Sequence, residues 1–318
     1  MTATALPQLC AGLPSFAADD PGGWTPMATF ARATDTAGVD CLLISDHVVF
    51  GEQLEEYSKP EVGGSKGGTQ PTGPDGHWLE PITTIAWLAG QTSQVDFRTN
   101  ILLAALRRPV VLAKMAATID VLSGGRLALG VGVGWQAAEY EAAGLSFEGR
   151  GALLDHALEV VTTLWCERQA SFSSDLLTFS NIHQMPKPLQ KSGVPIWISG
   201  TFRKSTVRRL ATFGARWIPW GPDAGDILNS APRMREAVAQ AGGDTVGMRI
   251  VGNLSLRKAE NGGIDVDTSM ERVGAMLEAG VTDFSVRLDT PGDYDDAVAY
   301  LEPIVAGFRA AVGRSATN

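Results

Sequence analysis

The sequence predicts an α/β protein of the (β/α)8 TIM-barrel class, with residues 1–318 forming a single domain. Eight short apolar runs that can form strands fall at residues 9–13, 40–45, 95–103, 127–131, 195–199, 215–220, 248–256 and 283–288. Each is followed by a segment with helical periodicity, and eight is the number of strands a closed parallel barrel requires. The length of 318 residues suits one large barrel carrying insertions. An open doubly wound sheet is the competing fold, but such sheets more often carry five or six strands.

In chain order the helical segments cover residues 24–37, 79–91, 109–122, 135–143 with 151–165, 203–213, 223–241, 267–279 and 293–312. The third shows the local logic. Pro109 can sit at its first position, where no N–H is needed, and Leu112, Met115, Ala116, Ile119 and Leu122 are expected on one face. Ser123, Gly124 and Gly125 then stop it.

Two segments break the rhythm. Residues 51–78 hold seven glycines and three prolines, too long a run for an ordinary connection. It follows the second strand and so hangs over the C-terminal face, where barrel enzymes keep their active sites; a lid over the substrate is expected. Residues 167–194 read as a short hairpin plus an extended arm.

Apolar residues make up 44% and charged ones 19%, enough for a sizeable core and too apolar for disorder. The net charge is 26 − 35 = −9 with no block of one sign, which argues against nucleic acid or an anionic membrane as the main partner. No stretch reaches the roughly 18 apolar residues of a membrane span, and the N-terminus lacks the basic start of a signal peptide. Cys10, Cys41 and Cys166 are widely spaced and read as buried thiols in a reducing compartment. A cytoplasmic location is expected.

Chemistry-bearing residues gather at predicted strand ends. Gly130, Gly132 and Gly134 alternate before Trp135, either leaving bare backbone for a ligand or answering crowding by a neighbouring helix. The G-x-G-x-G spacing is neither a dinucleotide fingerprint nor a phosphate loop. His47, in Ser45-Asp46-His47 after the second strand, stands where barrel catalytic groups sit and can move a proton near neutral pH, with Asp46 able to orient it; a loop-capping histidine is the alternative. Ser199, Gly200, Thr201, Arg203 and Lys204 open a helix and form a candidate anion site, or an ordinary cap by Thr201. Arg107 and Arg108 can add to such a site, and Trp78, Trp135 and Trp220 can wall an apolar pocket. His47, His77, His156 and His183 lack metal-ligand spacing, and no metal is expected.

Residues 80–165 and 186–217, more than a third of the chain, resemble the bacterial luciferase-like monooxygenase superfamily. The resemblance rests on the order SDH, EPxTTxA, LSGGRxxLGVGVGW and PxWISG, and within the superfamily the Asp-His pair is most similar to the branch that uses the deazaflavin coenzyme F420. It implies catalytic roles for His47 and Asp46, and a bulge at Thr99, Asn100 and Ile101 supporting the cofactor ring. It further implies that Gly132, Gly134 and Trp135 line the cofactor tail, that Ser199, Gly200 and Thr201 hold its phosphate, and that the chain pairs as a homodimer. Arg98 and Asn100 stand where related sequences often have glycine. The function implied is hydride transfer between F420 and a small organic substrate. The alternatives are an FMN-dependent monooxygenase using reduced flavin and oxygen, or a flavin or deazaflavin binder without turnover.

Overall fold

A computed structural model describes residues 6–260 and 262–315. Eight parallel strands close into a barrel in sequence order: β1 (Gln8–Gly12), β2 (Cys41–Ile44), β3 (Asp96–Thr99), β4 (Leu127–Val131), β5 (Ile196–Gly200), β6 (Arg216–Pro219), β7 (Arg249–Leu254) and β8 (Asp283–Val286). Closure is direct, since β1 pairs both with β2 through Cys10 and Cys41 and with β8 through Leu9 and Phe284. The competing open sheet is thereby excluded.

The outer layer consists of α1 (Thr25–Ala37), α2 (Pro81–Ala89), α3 (Pro109–Leu122), α4 (Ala137–Ala142), α5 (Arg150–Cys166), α6 (Lys204–Phe213), α7 (Ile227–Gln240), α8 (Val273–Glu278) and α9 (Tyr294–Ala311). Single turns of helix also occur at Pro222–Gly225 and Val266–Met270. The main apolar core lies between strands and helices, while Trp197, Ile218 and Val251 fill part of the bore. Helix α3 begins at Pro109 as expected, but its buried stripe is Leu112, Ala113, Ala116, Ala117 and Ile119. Leu122 is exposed, because ten residues at 100° each carry it about 80° away from Leu112 around the helix.

The segment after Glu167 does contain a hairpin, Ala170–Ser173 against Thr178–Ile182. Residues 51–78 carry two 3₁₀ turns and end in His77–Trp78, which pairs with Phe16–Ala17. Cys10 and Cys41 are buried in the bore, but Cys166 is exposed at the end of α5, so one of the three thiols departs from the expectation.

Candidate active site

The site forms where β2, β3 and β4 end. After Thr99 the third strand leaves its ladder and rejoins it at Leu102, which bridges to Val131. From Arg98 to Leu102 is four steps, while the partner advances three, from Ala128 to Val131, so one extra residue is accommodated as a bulge. The Asn100 N–H donates to Ile44 O at 2.7 Å, Thr99 Oγ1 donates to Gly130 O at 2.8 Å, and the Asn100–Ile101 peptide is cis.

This bulge explains the alternating glycines. A Cβ on Gly130 would strike the Thr99 carbonyl, one on Gly132 would come within 2.7 Å of Ile101 Cδ1, and one on Gly134 within 2.8 Å of Leu103 Cδ2. The space beside these three residues is filled by the third strand and its continuation, and the Gly132 N–H already donates to Leu102 O at 3.2 Å. Crowding accounts for the motif, but it comes from the third strand and its continuation rather than from the expected helix, and Gly132 contributes no free N–H to a ligand.

His47 follows β2 and is surrounded by rings: Phe50 at 4.3 Å, Trp78 at 4.8 Å and Trp135 at 5.9 Å between centroids. Its Nδ1 lies 3.2 Å from Oε2 of Glu139, a residue 1% exposed on α4. The approach is an ion-pair contact set off the axis of a hydrogen bond. The other carboxylate oxygen of Glu139 accepts the Val48 N–H at 2.8 Å, and the Gly51 N–H donates to Gln136 at 3.0 Å. Residues at the start of α4 thus hold the loop that carries His47.

Asp46 does not orient His47. Its buried carboxylate accepts the Leu103 N–H at 2.8 Å and both Arg107 Nη atoms, at 2.6 and 3.0 Å. It ties β2 to the segment after the bulge, while Glu139 occupies the position beside the imidazole. Arg107 also bonds Glu80 at 2.8 Å, which removes it from any anion site; Arg108 merely precedes α3. Burial alone would raise the Glu80 pKa, but the Thr83 N–H and Arg107 bring it below the usual carboxylate value.

Ser199, Gly200 and Thr201 stand at the end of β5, where α6 starts at Lys204 without a side-chain cap. Thr201 therefore does not act as the cap. The Phe202 N–H is taken by Asp223 at 2.7 Å, so an anion held there must share the helix start with a carboxylate. Compensating charge comes from Arg203 and from Arg150, which was not legible as a site residue. Arg150 stacks on Phe147 at 3.7 Å and donates to Val62 O at 2.9 Å. Its pKa is lowered mainly by burial, with Arg203 close enough to contribute.

The 51–78 segment packs across this mouth. Tyr57 lies 5.4 Å from Trp135 and 6.1 Å from Trp220, and Trp220 Nε1 donates to the Gly63 and Gly64 carbonyls at 3.1 and 3.2 Å. Phe16 stacks on Trp78 at 4.2 Å. Besides the off-axis His47–Glu139 pair, Trp135 Nε1 and Asn100 Oδ1 remain buried here without hydrogen-bond partners. Burying such groups unpaired is costly, and an indole donor and an amide acceptor left at these strand ends suit a planar heterocycle carrying both hydrogen-bonding types. The residues present fit a flavin-like group.

Residues 14–261 match the family described as luciferase-like monooxygenase, most of the chain. The chain belongs to that family. An uncharacterised protein of Mycobacterium tuberculosis (strain H37Rv) is 27% identical over 229 residues, 72% of this chain and 76% of that one. The luciferase-like barrel also superposes on an F420-dependent secondary alcohol dehydrogenase solved with an F420–acetone adduct. The TM-score is 0.73 at 16% identity, covering 96% of this chain and all of that one. A type II Baeyer–Villiger monooxygenase constituent from Pseudomonas putida, solved with FMN, gives a TM-score of 0.68 at 14% identity over 94% of this chain and 97% of that one. At such identities the two structures speak for the luciferase-like fold alone.

Proposed function

We propose that this luciferase-like barrel is an oxidoreductase that moves a hydride between coenzyme F420 and a small organic substrate at the C-terminal mouth. The observation that carries the reading is His47, set among three rings and backed by the buried carboxylate of Glu139, one strand away from the Thr99–Ile101 bulge. Two solved structures of the same fold hold F420 or FMN, consistent with a deazaflavin or flavin group here.

The cofactor, when bound, supplies the hydride chemistry, and the chain supplies position, dryness and a proton. Thr99, Asn100 and Ile101 would support the ring, and Gly134, Trp135 and Arg150 would flank the tail. Ser199, Gly200, Thr201 and Arg203 would meet the phosphate. The 51–78 segment acts as a lid, its Tyr57 and glycine carbonyls holding Trp135 and Trp220 across the mouth and excluding water. His47 Nδ1 faces the Glu139 carboxylate, leaving Nε2 to exchange a proton with the substrate.

Replacing His47 by phenylalanine keeps a flat ring and removes both nitrogens. The variant is expected to bind cofactor within about one order of magnitude yet lose about a hundred- to ten-thousand-fold in single-turnover oxidation of the reduced cofactor. Turnover at the wild-type rate would make His47 structural.

A further inference from the structure

The opposite end of the barrel carries a second constellation. At the N-terminal ends of the strands a cavity of about 200 Å³ is lined by Arg98, Arg126, Arg216 and Arg249, with Asp96 as its lining carboxylate. At about 30 Å³ per water this holds roughly six or seven waters, or an anion with part of its hydration shell.

The four arginines differ in how their donors are used. Arg126 is spent on main-chain carbonyls of Ala89, Thr92, Ser123 and Val95. Arg249 bonds Asp283 at 2.8 Å and Gln8 at 2.9 Å. Arg98, 1% exposed, gives Nη1 to Asp283 at 3.2 Å and lays its face on Trp197 at 3.9 Å, but its Nε and Nη2 are buried without partners. Arg216 forms no ion pair or side-chain hydrogen bond among the described residues. Its pKa is lowered by burial and by the neighbouring Arg249, with Asp283 partly opposing them. Asp283 is shared between two arginines, so guanidinium charge exceeds carboxylate charge around the cavity. Buried, unpaired guanidinium edges are costly unless an acceptor meets them, and planar forks match oxyanions.

We propose that this cavity is a binding site for a small oxyanion of phosphate or carboxylate type, held by Arg98 and Arg216 and distinct from the cofactor mouth. Such a ligand supplies oxygens to the idle Arg98 edge and balances Arg216, locking the base of the barrel.

The probe is inorganic phosphate at constant ionic strength, read by thermal melting of the full chain. Wild type is expected to show a saturable rise in melting temperature. Arg216→Gln, whose side chain supports no native ion pair, should raise the half-saturating phosphate concentration at least about tenfold, and Arg216→Lys should recover most of the response. Arg203→Glu, at the mouth, should keep it. Since the mouth variant reports on the cofactor's phosphate position, the two sites succeed or fail separately. No saturable rise in wild type, a response lost in Arg203→Glu, or one unchanged in Arg216→Gln each overturns the proposal.

Discussion

Glu139 sets the imidazole of His47 and is the residue whose role can be separated most cleanly from cofactor binding. Glu139→Gln keeps an acceptor for the Val48 N–H and removes the charge beside Nδ1. Without the charge that faces the imidazole, turnover should fall about tenfold or more while cofactor affinity changes little. Equal losses in both would make Glu139 part of the binding surface, and paired titration and single-turnover measurements distinguish the outcomes. Asp96 offers a pH test. Burial first, with Asp40 adding and Arg126 opposing, pushes its pKa up to about 6. Its folded pKa exceeds the unfolded value near 3.9, so the folded state binds more protons between the two and stability falls as pH rises from about 4 to about 6. Asp96→Asn should therefore gain melting temperature relative to wild type at pH 8 and much less at pH 4.5. His47 is legible in the sequence because it follows an apolar run at a strand end. Glu139 is not, since its contact with the His47 loop spans 91 residues, and EYEA on a helix reads as solvated charge.

The connections after β2 and β3 are held together by the Asp46–Arg107–Glu80 chain. Asp46 is fully enclosed and its main cation is Arg107, so Arg107→Met leaves a buried carboxylate with only the Leu103 N–H. Breaking a buried pair by removing one partner costs about 3–5 kcal/mol, and the urea midpoint should fall accordingly. An unchanged midpoint would show that Asp46 is solvated in the variant. The strands and helices were readable as elements because apolar runs and helical periods alternate cleanly. For Gly130, Gly132 and Gly134 crowding was one of two readings the sequence offered, but its source was not legible, because Thr99, Ile101 and Leu103 come from another strand. Arg98 likewise reads as a departure in the sequence and proves to be bore-filling, stacked on Trp197 from β5.

Across the whole molecule the two ends of the barrel differ in kind. The C-terminal mouth is aromatic, covered by the 51–78 segment and backed by the buried carboxylates of Asp46 and Glu139; the base is lined by guanidinium groups. No helix among the described residues is long and apolar enough to cross a membrane. The match over residues 14–261 fixes the family, and the choice between deazaflavin and flavin falls to groups that contact the ring. Titration of the purified protein with F420 and with FMN under identical conditions tests this most directly. Saturable F420 binding tighter than FMN binding is expected; tight FMN binding with no F420 binding would contradict the assignment to F420.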